Sequence, residues 1–163
     1  MEITMEVEFD VKISCGNLYD YLVHYTYLSL QGIIGVLAGV FFLVEYFMSF
    51  QLMYLAVAVI ILAYLPISLY LKAKQQSLNP VFKKPLHYRM TDEGVFVSQG
   101  DEEQMQKWED MYKAGSTISS VLLYTAKRNA SIFPKKQLQK QDVYEKTVEM
   151  ISTHMSPKKV NIR

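Results

Sequence analysis

The chain has 163 residues, half of them hydrophobic, with a net charge of +1 and a single cysteine, Cys15. One cysteine excludes an internal disulfide, and a balance this close to neutral gives little support to nucleic-acid binding. The charge is unevenly placed, however: residues 1–27 hold five acids and one lysine, whereas residues 72–163 hold sixteen Lys and Arg against ten Asp and Glu.

From Ile3 to Ile13 apolar residues occupy the odd positions, and Thr4, Glu6, Glu8, Asp10 and Lys12 the even ones, the period of a β-strand. Residues 1–14 are therefore expected to form a strand. A lone strand can neither bury its apolar face nor satisfy its backbone, so its partners must come from β-like sequence beyond residue 85. Gly16 breaks the pattern and Asn17 is placed to cap a helix over 15–27, whose apolar side is Leu18, Tyr21, Leu22 and Tyr25. Asp20 and His24 lie four apart on this helix and read as a surface pair.

Two apolar runs follow, 28–48 and 52–71. The second is twenty residues without a charge, about 30 Å as a helix and so the thickness of a bilayer core. Together they predict a transmembrane hairpin. In the first run Gly32, Gly35 and Gly39 make a small-residue face for helix packing, with the second run as the expected partner and a homo-oligomer contact as the alternative. Glu45 falls near the outer end and reads as a snorkelling residue, and Pro66 is placed to kink the second helix. Lys72, Lys74, Lys83, Lys84 and Arg89 cluster after the second run, while residues 46–51 contain no Lys or Arg. The positive-inside rule then puts both termini in the cytoplasm of a multi-pass protein of the cell (plasma) membrane. Aromatic residues at Tyr25 and Tyr27, and again at Tyr46, Phe47, Phe50 and Tyr54, suit the two interfaces.

Residues 72–84 read as a linker and helix extension stopped by Asn79-Pro80, and 85–156 as a β domain. Leu86–Met90 and Val95–Ser98 flank a turn at Thr91–Gly94, and further strands are expected around 105–108, 111–117, 121–125 and 130–133. A helix from about Asp142, placed to cap, to Met155 has one apolar stripe and should cover the sheet. Residues 157–163 read as a basic, disordered tail.

Phe9-Asp10-Val11-Lys12, the tyrosine-rich helix, the apolar hairpin, then Tyr88-Arg89-Met90-Thr91-Asp92-Glu93-Gly94, Trp108-Glu109-Asp110 and Ile132-Phe133-Pro134-Lys135-Lys136 together resemble the YcxB-like family of small bacterial membrane proteins. The resemblance implies a soluble part like bacterial pleckstrin-homology-like domains, with about seven strands in a bent sheet closed by a C-terminal helix, and implies no activity. The expected fold is thus an α+β membrane protein, with a two-helix transmembrane hairpin inserted after the first strand of a PH-like β domain. Within it Trp108 reads as an apolar anchor, and Ile132–Pro134 as an edge strand.

No catalytic, cofactor or metal site is expected. The sequence holds no GxSxG, HExxH, CxxC, P-loop or GxGxxG, its three histidines fall in three different elements, and Asp101-Glu102-Glu103 is a hydrophilic loop. The candidate lipid- or partner-binding residues are Lys127, Arg128, Lys135 and Lys136, the local excess of positive charge. The expected function is a membrane-anchored, cytoplasm-facing binding or regulatory module that engages a protein partner or an anionic lipid at the inner leaflet. The alternative is a small protective (immunity-like) or transporter-associated protein that acts through its hairpin.

Overall fold

The computed structural model describes residues 5–162, so the Ile3 end of the predicted strand lies outside the described residues. β1 (Val7–Val11) buries Val7, Phe9 and Val11 and exposes Glu8 and Asp10. It runs antiparallel to β2 (Leu86–Met90), with Val11 opposite Leu86 and Val7 opposite Met90, 75 to 83 residues away in the chain. β3 (Gly94–Gln99) and β4 (Glu102–Lys107) complete a sheet of order β1-β2-β3-β4.

A second sheet is built from β5 (Lys113–Ser116), β6 (Ser120–Ala126), β7 (Asn129–Pro134) and β8 (Val160–Asn161), in the order β7-β6-β5-β8. Three of its strands form an antiparallel meander, and β8 joins β5 in parallel. The two sheets share one core. Phe9 stacks on Tyr88 at 5.7 Å, and both rings meet the fully buried Phe133 of β7 edge-on, at 5.4 and 4.9 Å. Burial pushes the Tyr88 hydroxyl pKa up, with a smaller opposing effect from its hydrogen bond with Ser131. Met150 and Ile151 of the C-terminal helix are buried in the same core.

Four features differ from the sequence reading. α1 (Cys15–Tyr27) is capped by Ser14, whose Oγ accepts from Asn17 N at 3.3 Å while Asn17 Oδ1 accepts from Ser14 N at 3.1 Å. Asn17 is thus the third helical residue of a capping box, not the cap, and Gly16 lies inside the first turn. Next, Pro134 leads into an unpredicted short helix, α5 (Lys135–Lys140). Asp142 then adopts a left-handed φ of 57°, an unsuitable geometry for an N-cap, and α6 (Tyr144–His154) starts from Val143. Finally, residues 157–161 are ordered: a single 3₁₀ turn over Pro157–Lys159 delivers Val160 to pair with Ala114. Val160 and Ile162 pack against the core, and this apolar burial holds the segment that its charge made look like a tail.

Two long helices stand between β1 and β2. α2 (Leu30–Ser49) and α3 (Leu52–Ser77) pack against each other through a two-residue connection in which Phe50 is left-handed. Both are long and apolar enough to cross a membrane. α3 continues six residues past Leu71, so the first half of the expected linker is helix; α4 (Pro80–Lys83), capped by Asn79, follows it. Gln99 Nε2 donates to Val81 O at 2.8 Å and to Lys84 O at 3.3 Å, which ties this exit to β3.

The motif residues meet in space. Trp108 lies in a 3₁₀ turn and is buried, its indole N–H donating to Thr91 O at 2.8 Å. His154 of α6 stacks on that indole at 5.2 Å and pairs with Asp92 through Nε2 at 3.1 Å. The Thr91–Gly94 turn, the Trp108-Glu109-Asp110 triplet and the end of α6 therefore form one joint that closes the helix over the sheet.

β1 is an edge strand, and its outer backbone is covered by two side-chain amides. Gln137 accepts from Lys12 N at 2.9 Å and donates to Lys12 O at 2.7 Å. Gln141 accepts from Asp10 N at 2.9 Å and donates to Asp10 O at 2.8 Å. Four residues of helix rise about 6 Å and two residues of strand about 6.6 Å, so the amides match the ladder spacing and block the edge. Replacing both, Gln137→Ala with Gln141→Ala, should cost about 1–3 kcal/mol. In the full chain in uncharged detergent, thermal unfolding should shift down and amide exchange over residues 7–13 should accelerate, with exchange in α2 and α3 unchanged.

Candidate functional site

α1 lies across the second sheet, and its polar side chains meet that sheet's turns. Asp20 accepts hydrogen bonds from Thr117 Oγ1 and, at 2.5 Å, from Ser119 Oγ, both in the β5–β6 turn. Asp20 is thus a fastener of that turn, and no pair with His24 forms. The Tyr21 ring lies tilted against Tyr124 of β6, centroids 6.3 Å apart, and its hydroxyl donates to Arg128 O at 3.0 Å. The Tyr124 hydroxyl is pushed up to about 12 by burial first and then by the neighbouring phenols of Tyr21 and Tyr25, and burial raises Tyr21 too. Both therefore stay neutral at physiological pH and are not bases.

A cleft opens between the C-terminal turns of α1 and the β5–β8 edge. His24 and Leu28 form one wall; Tyr112, Lys113, Ser116, Lys158, Lys159 and Asn161 line the others, around a cavity of about 470 Å³. A neighbouring cavity of about 500 Å³ shares His24, Ser116 and Asn161 and adds Thr117, Ile118 and Lys135. Lys113 holds its ammonium 4.6 Å over the Tyr124 ring, and Lys159 donates to Met111 O at 3.1 Å. Lys135 donates to Thr117 O at 2.9 Å. Among the described residues no carboxylate lines either cavity. Lysines in such a space suit the binding of an anion. Among the described residues no group of three His, Cys, Asp or Glu could hold a metal ion.

The basic residues picked out in the sequence do not form one patch. Lys127 and Arg128 occupy the β6–β7 turn, and Lys135 and Lys136 begin α5 at the far end of β7. Six residues of extended strand separate the pairs by roughly 20 Å. Of the four, Lys135 alone lines the neighbouring cavity, and none lines the cleft itself. Lys113, Lys158 and Lys159 were missed because two of them sit in the presumed tail. The alternation Val160-Asn161-Ile162 after Pro157 was the available signal for a short strand there.

The three glycines of α2 also divide. A Cβ at Gly32 would stand 2.1 Å from Thr26 O, so this residue serves the tight corner from α1 into α2 and not the contact with α3. A Cβ at Gly39 would lie 2.4 Å from Leu62 Cδ2, and one at Gly35 3.2 Å from Leu65 Cδ1. These two positions receive the leucines of α3.

Residues 91–146 match the model of the YcxB-like protein family. The match begins at the Thr91–Gly94 turn and takes in Trp108-Glu109-Asp110 and Ile132–Lys136, so the resemblance read from those motifs is borne out over this segment. No curated protein and no solved structure matches the chain.

Gly39→Ala should push α2 away from α3 and destabilise the pair by about 1–3 kcal/mol, whereas Gly35→Ala should cost less. Adding Leu62→Ala to Gly39→Ala should recover part of that loss. Thermal unfolding of the two single variants and the double variant in uncharged detergent gives the coupling directly.

Proposed function

We propose that the protein is a membrane-anchored binding or regulatory module: α2 and α3 cross the cell membrane as a hairpin, and a PH-like β domain faces the cytoplasm at the inner leaflet. The observation that carries this reading is the outer surface of the two helices. Ile34, Leu37, Phe41, Val44, Ile60, Tyr64 and Ile67 are exposed, and the buried residues are confined to Gly32, Gly39, Ala58, Leu69 and Ala73. So much uncovered apolar surface on long helices suits a lipid solvent and not water. The lysines that follow Leu71 support the orientation with both termini inside. The β domain suits a pleckstrin-homology-like reading because two sheets of a shared core are closed by α6.

The β domain carries the binding surface in this reading. The glycine face of α2, which a hairpin-based activity or an oligomer contact would use, is filled by Leu62 and Leu65 of the same chain. The β domain, by contrast, presents lysines in a cleft beside the start of α2 that no carboxylate among the described residues lines. Held near an anionic leaflet by its own helices, such a surface gains about 1 kcal/mol of attraction per basic residue. A protein partner with an acidic face would be drawn by the same charges.

With Cys15 replaced by serine, a cysteine at Ser49 should react with an impermeant thiol reagent applied to intact cells, and a cysteine at Asp101 only after lysis. Labelling of the Asp101 position from outside would overturn the orientation.

A further inference from the structure

We propose that the cleft between α1 and the β5–β8 edge binds the phosphate of an anionic lipid headgroup, a ligand assignment that rests on the membrane-anchored reading above. Three lysines line it, Lys113, Lys158 and Lys159, and among the described residues no carboxylate does. Two of the three are steadied without being neutralised: Lys113 by the Tyr124 ring, Lys159 by the Met111 carbonyl. An ammonium spends one proton on such a contact and keeps two to donate. Lys158 is exposed and makes no ion pair or hydrogen bond with a described residue, so no described group offsets its charge. The phenol that shares the site, Tyr124, adds no negative charge at neutral pH.

The position of the cleft selects a lipid over a soluble phosphate. Leu28 forms part of its wall, just two residues ahead of Leu30, where α2 begins; both leucines are largely exposed, at 69% and 73%. Tyr112, which also lines it, is 44% exposed. A ligand in this cleft thus meets lysines and, at Leu28 beside the start of α2, an exposed apolar side chain. That is the polarity of a phospholipid with its headgroup in the cleft and its chains beside α2. A soluble anion would use the lysines and leave Leu28 and Tyr112 without a role. A cavity of about 470 Å³ is within the size range of small-ligand sites.

The test uses the full chain in an uncharged detergent, with retained lipid counted by native mass spectrometry. Phosphatidylglycerol is the probe, with phosphatidylcholine and glycerol phosphate as comparisons. The parent should retain phosphatidylglycerol over phosphatidylcholine. Lys113→Gln, Lys158→Gln and Lys159→Gln together should weaken retention by about tenfold or more, and Lys158→Gln alone by a few-fold, with added salt acting in the same direction. Lys127→Gln with Arg128→Gln should leave it within about twofold of the parent, because that turn lies outside the cleft. All three cleft lysines are exposed, so the variants should unfold near the parent temperature. Should the triple variant unfold early, the single variant and the salt series decide. Retention by the triple variant equal to the parent's overturns the site, and displacement by glycerol phosphate at equal concentration overturns the lipid assignment in favour of a soluble anion. The thiol-labelling experiment separates the two levels. Lost binding with the predicted labelling rejects the cleft alone, whereas retained binding with reversed labelling rejects the inner leaflet and keeps the phosphate site.

Discussion

The ring of Phe9 lies against those of Tyr88 and Phe133, and through this contact a strand made before the two long helices is buried with strands made after them. Everything between Val11 and Leu86 is consequently a loop whose ends are held side by side. The helices pack on each other and are held at their ends by the β domain: α1 enters from β1 and packs on α3, with Tyr19 against Tyr70, and α4 leaves through Gln99. Loss of a core ring would therefore release the ends of the helices as well as a strand. By ordinary large-to-small costs, removing Phe9 forfeits about 3–5 kcal/mol, a large share of the stability of a small domain.

Charge in this molecule is arranged by what each group is bonded to, more than by where it falls in the chain. Asp20 is consumed by two hydroxyls, Asp92 by His154, and Glu6 and Glu103 share Arg89. These acids act as fasteners between elements. The lysines of the β5–β8 cleft are held by a ring and a carbonyl, so their positive charge is left uncompensated. The asymmetry visible in the composition, an acidic start and a basic remainder, thus becomes local: the acids close the fold and a subset of the bases faces a cavity.

Much of the fold was legible because its signals are local. Alternation at Val7, Phe9 and Val11 marks a strand in a handful of residues, and runs of twenty apolar residues mark α2 and α3 without reference to anything else. What was not legible depends on contacts between distant residues. Ser14 and Asn17 both suit a cap, and only the path out of β1 decides which is outside the helix. Asp142 suits a cap by type, yet the turn out of α5 puts it in the left-handed region and α6 starts from Val143, one residue later. Lys127–Arg128 and Lys135–Lys136 are close in sequence, but a strand between them carries the pairs apart. Conversely Lys113 and Lys159, 46 residues apart, share a wall because β8 pairs with β5, a pairing of two residues that a short alternation only weakly announces. A cleft assembled from three separate segments has no sequence signature of its own.

The amide clamp on β1 has a consequence for the order of events at the ribosome. β1 is synthesised first, its partner strand emerges 75 residues later at Leu86, and the glutamines that cover its edge follow only at positions 137 and 141. While both apolar helices are being made the strand has nothing to pair with, and its closure is delayed because the contacts that reward it are so far away in sequence. A chain truncated before Gln137 would leave this edge open, a ready template for intermolecular pairing. The clamp therefore acts as a checkpoint on α5: the edge is sealed only in a chain translated through Gln141.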